Sequence, residues 1–434
     1  MNMKSIKTLA AGLLACALGN AAFAVATTHL YFIGSTAFRA AAVQAVEDAM
    51  GSGTYKVAYV GSGSTELKVN QSILSGTIGG NPVIVKFNWT GSVTGVQSLV
   101  NGTNFTNGFL ADSVLTGVSV GNTATALSGG AVVYDPAEPG NVTMSDSHPS
   151  STGLNTSGLT SAEVGVIAFE WVVNNGAPAS ITNITNNQAQ ALYTGFADLS
   201  QFTGVSSDST IPVYAVGRSG DSGTRLSYLT ETGLGLFASI FQVQATTVSG
   251  VVQVDSFGYN PQSPSTTTVS DPFLGTVALG QSGYASGGSA AGALVLNTSA
   301  AASSTGLTSG SGAWLFSYLG RSDANTAVAG GARRLTYNGV ADFTSATLSN
   351  ANGNANLNTP IIEGQYQGWE IEHLAYRSSL ADGQQVSGQS KELTLVNAII
   401  SQIQSDASAD SASGLQLSAM HVSRNVEGGV ITHN

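Results

Sequence analysis

Three segments of the chain place glycine and short hydroxyl side chains where a predicted strand leads into a predicted helix. They are residues 34–38 (Gly-Ser-Thr-Ala-Phe), 90–95 (Thr-Gly-Ser-Val-Thr-Gly) and 217–224 (Gly-Arg-Ser-Gly-Asp-Ser-Gly-Thr). The first backbone N–H groups of a helix lack partners and lie at the positive end of its dipole. Each junction therefore offers an oxyanion site without needing net positive charge. For any one of them, ordinary N-capping is the simpler interpretation.

The third segment is the most specific, because it adds Arg218 to the hydroxyl-rich loop. A guanidinium donates several charge-assisted hydrogen bonds in a fixed plane, which suits an oxyanion. Residues 220–223 (Gly-Asp-Ser-Gly) also copy the core of a serine-protease signature. A Ser-His-Asp triad would need an upstream histidine in a recognisable context, and neither His29 nor His148 has one. The segment therefore indicates anion binding rather than proteolysis.

The charge balance excludes one large class of function. The 434 residues contain 14 Lys and Arg against 25 Asp and Glu, a formal net charge of −11, and charged residues make up only 9%. A nucleic-acid backbone requires clustered basic side chains, so no nucleic-acid partner is expected. The five histidines are scattered without metal-ligand spacing, so we expect no metal and no cofactor.

The first 24 residues have the pattern of a signal peptide. Lys4 and Lys7 precede an apolar run, and residues 22–24 (Ala-Phe-Ala) offer a small-x-small cleavage site. The mature protein would be periplasmic or secreted and would lack cysteine, because Cys16 is the only one in the chain. A weaker alternative makes Cys16 a lipidated anchor residue, since the Leu-Leu-Ala before it resembles a lipobox. No later stretch approaches the ~20 apolar residues of a membrane-spanning helix.

Hydrophobic periodicity predicts alternating strands and helices, which favours an α/β fold. Predicted strands cover residues 29–33, 55–60, 82–87, 164–169, 171–173, 211–216 and 314–319. Predicted helices cover 37–50, with Ser35 or Thr36 as N-cap, and also 187–193, 225–230 and 392–403, with another beginning at 96. Residues 258–312 are rich in Gly, Ser and Ala and predict a long loop. Residues 370–373 (Glu-Ile-Glu-His) predict a half-buried strand edge.

In their order along the chain, these segments resemble the ligand loops of periplasmic phosphate-binding proteins of ABC transporters, in the type II periplasmic binding protein superfamily. Residues 216–224 are similar to the family's Arg-x-Asp-Gly-Ser-Gly-Thr motif. Residues 34–38 resemble its first phosphate loop, 91–96 its Gly-Ser-Ser-Gly-Gly-Val loop, and 143–146 (Thr-Met-Ser-Asp) its Ala-Ser-Asp segment. The resemblance is closest over residues 28–235.

The resemblance implies two α/β lobes joined by a hinge, with mixed sheets flanked by helices. It divides the chain into a signal peptide (1–24), a first lobe (25–160), a second lobe (161–320), and a return to the first lobe with the C-terminal region (321–434). It also implies the phosphate-binding residues, which are Ser35, Thr36, the N–H of Ala37, Ser92 and Asp146 from the first lobe, and Arg218, Ser222, the N–H of Gly223 and Thr224 from the second.

Asp146 has a distinct implied role. A buried carboxylate only accepts hydrogen bonds, so it favours a ligand that still carries a proton, such as hydrogen phosphate, over sulfate. Two adjacent positions depart from the family pattern, because Gly220 and Asp221 stand in the reverse order. The family's Asp at this place pairs with the Arg, so the group that orients Arg218 is left open.

The resemblance implies a non-enzymatic, monomeric periplasmic protein that captures inorganic phosphate, or a related oxyanion, for an ABC-type importer. A different class of function stays open. The Gly, Ser, Ala and Thr content, the scarce charge and the long loops also suit a secreted structural or matrix-associated protein on the same fold. That alternative predicts that the three glycine loops do not meet in one cleft, or that side chains fill the cleft.

Overall fold

The computed structural model describes residues 26–61, 64–104, 108–121, 123–195, 197–257, 267–301, 312–343, 358–383, 391–406 and 414–434. The predicted signal peptide, including Cys16, lies outside these residues, so its cleavage and lipidation stay predictions. Within the described residues, no helix has both the length and the apolar character that spanning a membrane requires.

Strands and helices alternate through much of the described chain. The α-helices are α1 (Arg39–Met50), α2 (Ser92–Asn101), α3 (Asn186–Thr194), α4 (Ser200–Thr203), α5 (Gly223–Glu231), α6 (Gly287–Leu294), α7 (Arg321–Ala329), α8 (Thr359–Ile362) and α9 (Glu392–Asp406). The strands are β1 (Thr28–Gly34), β2 (Lys56–Val60), β3 (Gln71–Ile78), β4 (Asn81–Trp89), β5 (Thr125–Leu127), β6 (Val142–Ser145), β7 (Leu159–Val173), β8 (Asn183–Ile184), β9 (Val213–Ala215), β10 (Val243–Val248), β11 (Val251–Ser256), β12 (Thr268–Asp271), β13 (Gly275–Ala278), β14 (Trp314–Gly320), β15 (Arg333–Arg334), β16 (Thr336–Tyr337), β17 (Trp369–Arg377), β18 (Gly414–Leu415), β19 (Val422–Ser423) and β20 (Thr432–His433).

One mixed sheet organises the molecule. Its strands follow the order β5-β2-β3-β4-β1-β6-β17-β7-β14-β9, and β15 and β18 pair with β7 beside this path. Strand β1 is parallel to β4 and β6, and β9 is parallel to β14. Strands β3 and β17 run antiparallel to both of their neighbours. The predicted fold class, an α/β fold with a mixed sheet flanked by helices, is therefore confirmed.

Strand β7 joins two parts of this sheet. Its residues 159–168 pair with β17, whereas residues 169–173 pair with β14. We call β1 to β6 with α1 and α2 the first lobe, and β9 and β14 with α3, α5, α6 and α7 the second lobe. Strands β7 and β17 link them. The residue boundaries predicted for the lobes stay predictions.

Apolar side chains cover the sheet on the sides that the helices face. Helix α9 packs against α1, and helix α6 packs against α7 and β14. Helix α9, predicted over residues 392–403, buries an apolar face that includes Leu395, Ile399, Ile400 and Ile403. Helix α3, predicted over residues 187–193, follows its N-cap Thr185, whose hydroxyl accepts from the N–H of Gln188 in a capping box. Burial of these faces holds the ends of the strands at fixed positions.

Helix α1 begins later than predicted, at Arg39, and the prediction that Ser35 or Thr36 caps it is wrong. Phe38 occupies the N-cap position without a side-chain cap. Ser35 Oγ instead accepts from the N–H of Ala37 (3.1 Å) within the preceding turn. Both hydroxyl side chains therefore belong to a loop at the end of β1 and not to the helix.

Other regions also differ from the sequence prediction. Residues 258–312 were predicted to be one loop, yet their described part includes β12, β13 and helix α6, whose N-cap Ser286 accepts from the N–H of Ser289. Strand β3 was not predicted, because its Ser, Gly and Thr residues weaken the apolar alternation. Residues 370–373 lie inside the sheet, between β6 and β7, and not at an edge. Local patterns miss such placements because strand order depends on long-range pairing.

Candidate functional site

The end of strand β1 is locked against the end of β6. Gly34 has φ +123°, and a Cβ there would clash with the Met144 carbonyl, so the position requires glycine. The N–H of Ser35 donates to the same carbonyl (2.9 Å). The Gly34 carbonyl in turn accepts from the N–H groups of Thr90 (3.1 Å) and Gly91 (2.8 Å). These bonds bring the loop 34–38, the loop 90–95 and the residue after β6, Asp146, to one edge of the first lobe.

Asp146 is the centre of the polar cluster and is buried. Its Oδ1 accepts from the hydroxyl of Ser92, and its Oδ2 accepts from the hydroxyl of Thr224 (2.9 Å). Ser92 begins helix α2 in the first lobe, whereas Thr224 lies in the first turn of α5 in the second lobe. A Cβ on Gly223 would collide with Asp146 Oδ1 and would lie 2.5 Å from Ser92 Oγ. Only glycine at 223 therefore lets the two lobes approach this closely.

Arg218 reaches from the second lobe towards the first. Its buried guanidinium donates from Nη1 to Thr36 Oγ1 (3.1 Å). It is held in this direction by bonds from Nε to the Tyr284 carbonyl (3.2 Å) and from Nη2 to the Ala285 carbonyl (2.9 Å). Ser222 caps α5, because its Oγ accepts from the N–H of Arg225 (3.4 Å).

All nine sequence-predicted site residues are buried at this meeting of the lobes. Direct hydrogen bonds join Thr36 to Arg218, Ser35 to Ala37, and Ser92 and Thr224 to Asp146. The three glycine loops therefore meet in one place, where their side chains bond to one another. Whether these residues bind phosphate stays a prediction. Among the described residues, no group of His, Cys, Asp and Glu has the geometry to hold a metal ion.

Burial dominates the electrostatics of the cluster. It raises the pKa of Asp146, and the hydrogen bonds from Ser92 and Thr224 and the charge of Arg218 oppose that rise. Burial lowers the pKa of Arg218, and the charges of Asp146 and Asp323 oppose that fall. Asp146 and Arg218 thus stabilise one another's charged forms within a site that water does not reach.

Asp221, which stands in the reverse order with Gly220, contacts the first lobe through its backbone. The Asp221 carbonyl accepts from the N–H of Val93 (3.1 Å), which links the Arg218 loop to the start of α2. Within the described chain, no ion pair shorter than 4.0 Å joins the Asp221 carboxylate to Arg218. Backbone carbonyls, rather than a neighbouring carboxylate, orient this guanidinium.

Sequence reasoning missed Asp323, in the first turn of α7. Its carboxylate is buried, and the charges of Arg39 and Arg218 lower its pKa against the larger effect of burial. A Cβ on Gly287, the first residue of α6, would collide with Asp323 Oδ2. The only signal in the sequence was an acidic residue shortly after a predicted strand, which is too common to single out. Asp323 adds a second negative group near Arg218.

The residue types of this cluster are those that suit an anion carrying a proton. Hydroxyl groups and a guanidinium supply donors, and one carboxylate supplies an acceptor, in a region from which water is excluded. The donors come from both lobes, so a ligand held between them would favour the closed arrangement. The geometry therefore defines a buried polar cluster between the lobes.

No known protein-family profile matches the sequence, and no curated protein matches it. Among solved structures, the chain is similar to an ABC-type phosphate transport receptor from Vibrio cholerae, with 14% identity over 88% of this chain and 95% of that chain and a TM-score of 0.37. It is also similar to PstS from Borrelia burgdorferi (12% identity, 87% and 92% coverage, TM-score 0.33). A third similar structure is the ancestral soluble variant of the Human Phosphate Binding Protein (12% identity, 90% and 90% coverage, TM-score 0.41). Two of these three names, the Vibrio cholerae receptor and the human protein variant, mention phosphate transport or binding.

Proposed function

We propose that this chain is a periplasmic binding protein that captures inorganic phosphate, or a related oxyanion, for an ABC-type importer. One observation carries the proposal: the hydroxyls of Ser92 and Thr224, from opposite lobes, meet on the buried carboxylate of Asp146. Burying a carboxylate is costly unless it is hydrogen-bonded, and a carboxylate that accepts from donors of both lobes could also accept from a protonated ligand between them. The protein would act as a monomer without a cofactor.

The residues around the centre suggest how a phosphate would be held. Arg218 would supply planar charged donors, and the hydroxyls of Thr36, Ser92 and Thr224 would turn their protons towards phosphate oxygens. Asp146 would accept the proton of hydrogen phosphate. Sulfate lacks that proton at neutral pH, and its oxygen would face the carboxylate without a hydrogen between them. The proposal therefore includes selectivity for phosphate over sulfate.

The acidic character of the chain does not oppose this function. A formal net charge of −11 repels a dianion at long range. At physiological ionic strength the Debye length is about 8 Å, so distant exposed acids are screened while buried donors are not. Local donors in a cleft of low dielectric therefore outweigh the overall charge.

Calorimetry of the purified protein with phosphate and with sulfate tests the proposal. We expect phosphate to bind with a Kd of about 1 µM or tighter, and sulfate to bind at least about 100-fold more weakly. Absence of binding at millimolar phosphate would contradict the proposal. Equal binding of the two ions would keep an oxyanion carrier but remove the selective role of Asp146.

A second candidate, a secreted structural or matrix-associated protein, is favoured by one observation. The site residues satisfy one another, since Asp146 accepts from Ser92 and Thr224 while Arg218 donates to two main-chain carbonyls. A polar centre of this kind also stabilises a fold without any ligand. In that case neither phosphate nor sulfate would bind, and Asp146→Ala would lower the melting temperature equally with and without phosphate.

A further inference from the structure

A short segment near the C-terminus contacts both walls of the candidate site, which are helix α5 and the loop 146–151. We call residues 422–428 the C-terminal clamp. Its Arg424 is buried, and Nη1 donates to Glu231 Oε2 (3.2 Å) and to Glu370 Oε1 (3.3 Å). The guanidinium carbon also lies 4.1 Å from the centre of the Trp369 ring, which is a cation–π contact. Arg424 therefore connects strand β17 to the last residue of helix α5.

Helix α5 extends from the Arg424 contact to the candidate site. It begins with Gly223 and Thr224, which face Asp146, and it ends at Glu231. The clamp also packs on the last turn of α5 through Gly428, which has φ +62° and a Cβ position only 2.6 Å from the Thr230 carbonyl. A helix of this length is stiff, so fixing its C-terminal end also limits movement of its first turn.

Glu427 makes the matching contacts to the first lobe. Its Oε1 accepts from the backbone N–H of His148, and its Oε2 accepts from the hydroxyl of Ser151. His148 lies two residues after Asp146 in the sequence. A carboxylate that accepts from a backbone N–H forms a charge-assisted bond, which is stronger than a neutral one. Glu427 therefore fixes the loop that follows the central carboxylate.

We propose that Arg424 and Glu427 are positioning residues, and that the C-terminal clamp holds the two walls of the anion site together. The inference rests on the proposed function only in taking phosphate as the ligand. The joining of the two walls by the clamp does not depend on that function. Neither residue touches the predicted ligand-binding side chains directly. Arg424 acts through helix α5 on Thr224, and Glu427 acts through the loop 146–151 on Asp146.

The clamp should govern ligand release more than ligand capture. Capture takes place from molecules whose walls are apart. Loss of the clamp enlarges that population, so it should leave the rate of capture unchanged or slightly higher. Release requires the closed walls to separate, and every contact that joins them slows that step. Loss of the clamp should therefore appear mainly in the dissociation rate constant.

Glu427→Ala is the sharpest test, since His148 is exposed and water can replace the lost acceptor without unfolding the chain. We expect stopped-flow measurements to show dissociation of inorganic phosphate about tenfold faster, with the association rate constant changed less than about twofold. The matched control is Glu363→Ala, which removes a bond to His421 (2.7 Å) close to the clamp without contacting either wall. Both rate constants should stay at the wild-type value in the control.

Several outcomes would overturn the clamp. Unchanged phosphate dissociation in Glu427→Ala would do so, as would equal acceleration in Glu427→Ala and Glu363→Ala. A fall in melting temperature without any change in dissociation would show that Glu427 is merely structural. Glu427→Gln keeps an acceptor oxygen of the same reach, so it should restore part of the slow dissociation.

A measurement without phosphate separates the clamp from the proposed function. Spin labels at two exposed positions, Thr77→Cys and Thr247→Cys, report the distance between lobes in a Cys16→Ser background. Thr77 lies on β3 of the first lobe, and Thr247 lies on β10, which packs against α6 of the second lobe. We expect Glu427→Ala to add a population of longer distances, and Glu363→Ala to add none. In one outcome, the wild type binds no phosphate while Glu427→Ala, unlike Glu363→Ala, still shows longer interlobe distances. That result would contradict the proposed function and support the clamp. An unchanged distance distribution in Glu427→Ala overturns the clamp whether or not phosphate binds.

Discussion

Thr224 Oγ1 lies 2.9 Å from Asp146 Oδ2, although 78 residues separate the two in the sequence. The bond joins the first turn of helix α5 to the residue that follows strand β6, and so it joins the second lobe to the first. A buried carboxylate that loses a hydrogen-bond donor is destabilised, because water does not replace the lost bond. The bond between Thr224 and Asp146 therefore favours contact between the lobes. Substitutions on either wall should therefore alter the whole site.

Asp146→Asn should change selectivity more than affinity. Asparagine can donate a hydrogen bond to sulfate, whereas the carboxylate can only accept one. We expect the ratio of phosphate to sulfate affinity to fall at least about tenfold, which is about 1.4 kcal/mol, in calorimetric titrations. Asp271→Asn is the control, because Asp271 is also buried but accepts from Tyr214 (2.9 Å) outside the site. An unchanged ratio, with binding still dependent on Arg218, would define a general oxyanion cradle.

Arg218→Ala should weaken phosphate binding severely. Removing one partner of a buried, hydrogen-bonded charge contact costs about 2–5 kcal/mol of affinity, measured here as the shift in phosphate Kd. Arg333→Ala is a matched control, since Arg333 also donates to main-chain carbonyls, those of Pro178 and Ile181. That control should lower stability while phosphate binding stays unchanged. Equal losses of affinity in both variants would argue against a role for Arg218 in the site.

Gly223→Ala should force the two lobes apart. The added Cβ would collide with Asp146 Oδ1, and the neighbouring Ser92 Oγ lies only 2.5 Å from it. We expect phosphate binding to be lost in calorimetry, because the closed arrangement can no longer form. Gly292→Ala is the control, since a Cβ there meets nothing within 4 Å in helix α6. It should leave binding unchanged and stabilise the fold by about 0.5–1 kcal/mol in denaturant titrations.

Glu370 should make stability depend on pH. Burial raises the pKa of Glu370 from 4.5 to about 8, Arg424 opposes the shift, and the charges of Glu427 and Glu231 add to it. The folded state therefore binds this proton more tightly than the unfolded state. The free energy of unfolding should fall as the pH rises from about 4.5 to about 8, and this contribution should be constant above that range.

The comparison that isolates Glu370 is between the wild type and Glu370→Gln. Denaturant titrations over this pH range should show a smaller downward slope in the variant. Glu47, whose pKa burial raises to about 7, contributes a slope of the same sign in both proteins and cancels in the difference. Equal slopes in the two proteins would show that Glu370 is ionised in the folded state throughout.

Much of the fold follows from local pattern in the sequence. The apolar run before Gly34 and the helical periodicity of residues 187–193 and 392–403 each predicted an element that the structure contains. Strand β3 and helix α6 escaped notice because their small and polar residues hide the periodicity that marks an element. The interior position of β17 escaped notice for a different reason, since strand order is set by pairing between distant segments.

The sequence by itself determined the chemistry available to the site, namely glycine loops at strand ends, short hydroxyls, one arginine and one aspartate in a recognisable order. Only the tertiary structure decided that Thr36 meets Arg218, that Ser92 and Thr224 share Asp146, and that backbone carbonyls orient the guanidinium. It alone brought Asp323 near Arg218 and Glu427 behind Asp146. Residue types are local properties of a chain, whereas burial and distance arise when segments far apart in sequence pack together and exclude water.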